Sequence, residues 1–571
     1  MDEALRTVGG FRRYHLTIFT LLCFSSFLPA NFLILCYVFI GWTPPHHCTI
    51  PANQSKDDVI PLNVDGTYSS CTMYVNKTES NETQACTSWT YDSNGYETIV
   101  TEFDLVCDDM FLTDLTQILL TVGAILTDTT CSFFTDKYGR RRVHIIGQYL
   151  ITALGLCVTF APSYVTLLVF RILIGVSHVV NMNSGITLLT ELFDSQKRAI
   201  AGIGLNYGWS LAYMLPIPLA YLLSDWRHFT FIASLLPLIF TVYICILPES
   251  PGWLVAFEHY ERAEAELDRM ARWNGVSAAP IKIKRAADEL LEVPLLNSKQ
   301  RPVMDADSGT TTLTTTDKDC TIKSKSSLNG DIMITSTSPH TAQSTAKQQL
   351  PIFKILGDSK LRLHLCMSNI FLFASVFVYY ALVLNASSYG NRFLTYFLMG
   401  VAELPAYLVA LLVVDRIGRR VPMVFFYCLC GVSLLLTTLV PTDDDSAWGG
   451  VAVVCLVSLA RFSVSGEFAV MLLYVRELFP TEVRSSSVAW GGIGGGVGFL
   501  LAPVFVYVSK VQPWLTNVVL GIVSIVAALG VIPLPETRNK PLPLTVEDLH
   551  KIYYSKSASG EEARSPAKEK E

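Results

Sequence analysis

Runs of apolar residues long enough to cross a bilayer recur along the whole chain, broken by short polar turns and by two long polar stretches. A hydrocarbon core about 30 Å thick takes roughly 20 apolar residues per helix. About twelve segments of that kind lie near residues 16–41, 111–134, 143–162, 165–188, 199–223, 229–247, 362–385, 392–413, 421–440, 450–473, 485–508 and 515–533. The first is too long for a signal-peptide apolar region and has no convincing cleavage site, so a retained helix is expected. Basic runs follow the second and eighth segments, Lys137-Tyr-Gly-Arg-Arg-Arg142 and Arg416-Ile-Gly-Arg-Arg420. Positive charge is retained on the cytoplasmic side, which puts these turns and both termini there.

Composition agrees with lipid as the solvent: 51% of the 571 residues are hydrophobic and 16% charged. The net charge of -6 matters less than its placement. Residues 49–110 carry eleven acidic residues against Lys56 and Lys77, together with Cys48, Cys71, Cys86 and Cys107 and sequons at Asn53, Asn76 and Asn81. That set fits an oxidising, glycosylating exterior, and four cysteines allow three pairings. Most of the other cysteines lie in apolar segments, without metal-ligand spacing, and read as small core residues. Gly491 to Gly498 contains six glycines but lacks the Lys-Ser or Lys-Thr of a phosphate loop, so close helix approach or a hinge is the better account. No nucleophile, metal or nucleotide motif stands elsewhere. An enzyme, an ATP-driven pump and a nucleic-acid binder are therefore disfavoured, and no cofactor is expected.

An internal repeat organises the chain. Asp136-Lys-Tyr-Gly139-Arg140-Arg141 returns as Asp415-Arg-Ile-Gly418-Arg419-Arg420; Glu191-Leu-Phe with Arg198 returns as Glu477-Leu-Phe with Arg484; Pro248-Glu249-Ser returns as Pro535-Glu536-Thr. The offsets are 279, 286 and 287 residues. The predicted fold is all-α, with twelve transmembrane helices in two pseudo-symmetric six-helix bundles. Its parts are a cytoplasmic N-terminus 1–15, a first bundle 16–247 with an extracellular loop 42–110, a cytoplasmic loop 248–361, a second bundle 362–533 and a tail 534–571. Within the central loop, 255–275 reads as an amphipathic helix. Residues 297–349 are too poor in large apolar groups to offset ordering entropy and are expected to be disordered. That Ser/Thr-rich stretch could be a target of kinases, or a plain solvated linker.

These motifs resemble the organic cation, anion and carnitine transporters, the solute carrier 22 family of the major facilitator superfamily. The resemblance rests on Gly41-Trp-Thr-Pro-Pro-His-His-Cys48 and Glu102-Phe-Asp-Leu-Val-Cys107 around the outer loop, Pro248-Glu-Ser-Pro-Gly-Trp253-Leu, Glu403-Leu-Pro-Ala-Tyr407 and Glu477-Leu-Phe-Pro-Thr-Glu-Val-Arg484. It implies alternating access, with substrate held between the halves near the midplane. Two positions depart from the family pattern. Ser132 stands where Gly is common, and Gly496 occupies the eleventh-helix position where cation carriers often have Asp and anion or carnitine carriers Arg.

Ionisable residues within lipid default to function or to pairing inside the bundle. Arg171, Glu403 and Arg461 read as structural. Asp128 and Glu467 depart from the small or neutral residues usual in the family; each could hold a cation, compensating for Gly496, or pair with a neighbouring Arg or Lys. Tyr379 aligns with a cavity tyrosine of the seventh helix and Met182 with a cavity aromatic of cation carriers. With Tyr380 they complete the candidate substrate site, where ring faces attract organic cations. His178 reads as a neutral, hydrogen-bonded residue. For gating, Arg140 and Arg141 are expected to meet Glu477, and Arg419 and Arg420 to meet Glu191, in one access state. These expectations favour a plasma-membrane carrier of small organic cations or zwitterions such as carnitine, with a coupling ion allowed. An organic-anion exchanger with Arg461 facing the cavity is the first rival, and a transport-silent receptor-like protein the second.

Overall fold

The computed structural model describes residues 2–9, 12–51, 54–63, 67–75, 82–93, 95–194, 197–239, 246–276, 355–441 and 447–554. The asparagines of the three sequons, Asn53, Asn76 and Asn81, and the stretch 297–349 lie outside them. We label the spanning helices in order: α1 (Arg13–Ala30), α2 (Met110–Tyr138), α3 (Arg140–Thr159), α4 (Tyr164–Glu191), α5 (Arg198–Met214), α6 (Trp226–Leu235), α7 (Ser359–Leu384), α8 (Arg392–Ile417), α9 (Arg420–Thr437), α10 (Ala447–Leu478), α11 (Arg484–Val511) and α12 (Pro513–Val531). Among the described residues ten helices are long and apolar enough to cross a membrane. The other two expected spans are shorter here for local reasons. Pro216 starts a separate turn, Pro216–Leu222, after α5, and the segment after α6 runs into the undescribed residues 240–245. The first span continues past Pro29 as a π turn, Asn31–Leu35, and a last helical turn, Tyr37–Ile40.

The halves repeat each other in space. In the first, α2 packs on α4 and α4 on α3; in the second, α8 packs on α10 and α10 on α9. Small residues allow the closest approaches. A Cβ on Gly494 of α11 would collide with the backbone carbonyl of Asn369 in α7, and Gly498 meets the carbonyl of Phe373 one turn on. Part of the glycine-rich run is thus a packing face. The halves meet along two seams, α2 with α11 and α5 with α8.

Loop 42–110 sits at one end of the bundle. Strands β1 (His46–Cys48) and β4 (Trp89–Tyr91) pair antiparallel, as do β2 (Thr72–Tyr74) and β3 (Thr83–Ala85). The disulfides are Cys48–Cys86 and Cys71–Cys107, each with Cα atoms 5.6 Å apart. Backbone bonds from Glu97 to Ser224 and from Trp226 to Glu97 tie the loop to the start of α6, where Glu102 also accepts from Trp226 Nε1 at 2.7 Å. Both α2 and α8 start at this loop face, so their Arg-rich turns both lie at the opposite, basic face. There an amphipathic helix, Tyr260–Trp273, buries Ala263, Leu267, Met270 and Ala271. Asn274 then fastens it to the N-terminal segment, its side chain donating to Val8 O at 2.9 Å and accepting from Tyr14 N at 3.0 Å.

Candidate functional site

A charge inside lipid is tolerated when a partner and hydrogen bonds replace its water. At the α5–α8 seam this is done by one network. Arg461 of α10 and Glu403 of α8 form an ion pair with both side chains fully buried. The Arg461 guanidinium also donates to Tyr379 O at 3.0 Å and lies 3.4 Å from the centre of the Tyr379 ring. The Tyr379 hydroxyl in turn donates to Glu403 at 2.9 Å. The first half joins through α5, where Ser210 donates to Glu403 and Trp209 to the Tyr379 hydroxyl. One turn on, Tyr213 stacks on Tyr396 of α8 at 4.1 Å. Tyr380 lies against Tyr379 and against Phe499 of α11, at 5.3 and 4.3 Å. Tyr379, Tyr380, Met182 and Phe499 are half-buried, an aromatic lining around a neutralised ion pair.

The two carboxylates singled out in sequence do not meet there, and among the described residues neither pairs with Arg or Lys. Asp128 is exposed on α2 and accepts from Asn183 of α4 at 2.7 Å. Glu467 is fully buried inside the second bundle, where it accepts from Ser375 at 2.7 Å beside Tyr427. Its place on α10 turns it away from the seam, one and a half turns beyond Arg461. Gly496 does lie at the α2–α11 seam, where an added Cβ would rest 3.7 Å from Ile125. Arg461, proposed for an anion cavity, is not free: Glu403 and the Tyr379 ring enclose it. Arg171 is buried and donates to Leu33 O at 2.7 Å, holding the π turn, and His178 is buried with its Nδ1 unpartnered.

At the basic face the expected cross-half pairs are replaced by pairs within each half. Arg140 reaches Glu191 at 3.1 Å and Asp136 at 2.9 Å; Arg419 grips Glu477 with two bonds of 3.0 Å. Geometry explains the correction, because α3 starts beside the end of α4, and α9 beside the end of α10. Gly139 and Gly418 make the turns at φ +93° and +107°. The two Pro-Glu motifs then cap the following helices: Glu249 accepts from Arg141 N, and Glu536 from Arg419 N and Arg420 N, all at 3.0 Å. Burial pushes the Glu536 carboxyl up, but backbone donors from Arg419, Arg420, Arg538 and Thr537 outweigh it and hold it below its ordinary value. Asp415 is exposed, Arg484 donates to Phe479 O at 3.2 Å, and Arg198 opens α5, its side chain outside the described set.

Sequence reasoning missed the lock at the loop face. Lys510 of α11 reaches Asp114 of α2 at 2.9 Å, with Asp114 fully buried and held also by the Tyr37 hydroxyl at 3.1 Å. Among the described residues this is the ion pair that joins the halves. Asp114 fell inside a predicted span and Lys510 just past one; their matching depth at the same face was the available signal. With Phe39 stacked on Phe393 at 5.3 Å, the seams are closed at the loop face.

The major facilitator superfamily profile matches residues 112–503. Rat solute carrier family 22 member 6 is 29% identical over 96% of this chain and 94% of its own length. Mouse organic anion transporter 3 is 28% identical over 97% and 95%. Among solved structures, the proton:xylose symporter XylE bound to 6-bromo-6-deoxy-D-glucose superposes with a TM-score of 0.55 at 14% identity, over 94% of this chain and 98% of that one. XylE from E. coli in an inward open conformation gives 0.55 at 13%, over 95% and 98%.

Proposed function

We propose an organic-anion carrier working by alternating access, from the premise that the chain belongs to the major facilitator superfamily and, within it, to solute carrier family 22. The observation that carries the charge preference is the near full-length similarity to organic anion transporter 3 and to member 6. Geometry supports it by subtraction. A cation reading needs a carboxylate open to the space between the halves; Glu467 is enclosed in its own bundle, and Glu403 is neutralised by Arg461. What the seam offers is an aromatic lining with a guanidinium behind it. A planar organic anion would lie against Tyr380 and Phe499 and feel the positive edge of the Arg461–Tyr379 stack. Asp128 keeps an organic-cation route as the second reading, since it is exposed beside Met182 and Asn183.

In this proposal the carrier works in the plasma membrane, with the disulfide-bonded loop outside and the basic face and both termini in the cytoplasm. Inside-negative potential opposes anion entry by about 2.3 kcal/mol per charge per 100 mV. Accumulation against that potential therefore requires exchange for an internal anion or a coupled cation. The test is uptake into proteoliposomes of an aromatic monocarboxylate and, separately, of a quaternary ammonium. Preloading with a dicarboxylate should accelerate carboxylate entry severalfold and leave ammonium entry unaffected. Ammonium uptake that collapses in Asp128→Asn, without carboxylate uptake, would establish the second reading in its place.

A further inference from the structure

The first residue of α8 is a buried arginine without an acceptor. Arg392 is 9% exposed and its Nε is buried with no partner; it takes part in no ion pair or hydrogen bond among the described residues. Its guanidinium carbon stands 3.7 Å from the centre of the Trp42 ring, 4.9 Å from that of Tyr96 and 5.0 Å from that of Phe393. Among the described residues the other buried arginines each have an acceptor: Arg461 has Glu403 and a carbonyl, and Arg171 has the Leu33 carbonyl.

Ring faces attract the cation but do not accept its in-plane N–H groups. The buried Nε–H keeps its desolvation cost until an acceptor arrives, while the terminal nitrogens retain contact with solvent. Arg392 borders a pocket whose other walls include Phe39, Thr98, Ser224, Trp226 and Phe229, with space for about one water-sized sphere. Glu97 stands at the same pocket, exposed, and makes no ion pair with Arg392. A water would satisfy a donor and leave the charge uncompensated. A small anion would do both.

We propose that this pocket is a binding site for a small monovalent anion, a chloride-sized halide or the head of one carboxylate, held in the plane of the Arg392 guanidinium. It is separate from the substrate region at Tyr379 and does not rest on the organic-anion reading. Its position gives the anion a consequence. Phe39, Ser224 and Trp226 belong to the first half and Arg392 to the second, so the occupant bridges the seam where the loop face is closed. Binding to that arrangement alone stabilises it by mass action, and external anion then biases the access equilibrium.

The experiment is thermal unfolding of the purified full chain at constant ionic strength, with a bulky sulfonate replaced stepwise by chloride or by acetate. A saturable rise in Tm is expected, absent in Arg392→Gln. A rise with chloride alone assigns the site to a halide, and a rise with acetate to a carboxylate. No saturable rise with either salt, or the same rise in Arg392→Gln, overturns the proposal. Should that variant fail to fold, bromide-soaked crystals of the unaltered protein decide it: an anomalous peak within about 3.5 Å of the guanidinium supports the site, and its absence sinks it.

Discussion

Glu403 and Arg461 show how much of a membrane interior one pair can set. Removing one partner of a buried pair costs about 3–5 kcal/mol, because the other charge stays behind unpaired. Glu403→Gln should therefore unfold at a markedly lower temperature, and adding Arg461→Gln should recover a large part of the loss; a strictly additive double variant would show that the two do not compensate each other. Tyr379→Phe removes the hydroxyl that donates to Glu403 and accepts from Trp209. At about 1 kcal/mol per hydrogen bond it should cost roughly 1–2 kcal/mol in the same melts. The presence of these residues inside lipid was legible in the sequence; that Glu403 and Arg461 pair with each other was not. Which carboxylate faces the seam was not legible either, because Glu467 and Arg461 share a helix, about 9 Å apart along its axis, and the direction that Glu467 takes around it is decided by packing against Ser375 and Tyr427.

The turns between α2 and α3 and between α8 and α9 are one device used twice. The repeat of Gly139-Arg-Arg with Gly418-Arg-Arg, and of Pro248-Glu with Pro535-Glu, could be read from spacing alone. Their union could not, since Glu536 lies 117 residues from the Arg419 amide that it caps. At Gly418 a Cβ would stand 2.8 Å from the Glu536 carboxylate on a backbone at φ +107°. Gly418→Ala should cost about 1–3 kcal/mol from backbone strain, more once the displaced cap is counted, read as a fall in melting temperature. Glu536 also has a pH signature. Its folded pKa lies below the ordinary value of 4.5, so its contribution is complete above that pH and fades as pH falls toward the depressed value. In melts taken from pH 6 down to about 3.5, Glu536→Gln should start less stable and lose less than the unaltered chain; parallel curves would show that the carboxylate is not the sensor.

For the whole molecule the decisive contrast is between its two faces. The basic-face arginines bind acids of their own half, whereas Asp114 and Lys510 tie one half to the other at the loop face. The sequence could supply twelve spans, the duplication and the shared face of the Arg-rich turns, because those follow from hydropathy and charge along the chain. It could not supply the access state, since one sequence must be compatible with every state of the cycle. If the Asp114–Lys510 pair biases that equilibrium, Asp114→Asn should favour opening at the loop face, and a bias of about 1.4 kcal/mol is a tenfold change in ratio. Phe111 of α2 and Tyr507 of α11 report on this seam, their rings 5.4 Å apart in the closed arrangement. Cysteines at those two positions, in a chain cleared of the exposed Cys157, Cys366 and Cys455, should cross-link rapidly. Asp114→Asn should slow that cross-linking severalfold and also lower the melting temperature, because Lys510 keeps a mostly buried charge without its partner. An unaltered rate would mean that the aromatic contacts of Phe39, Phe393 and Tyr396 hold the loop face shut without the ion pair.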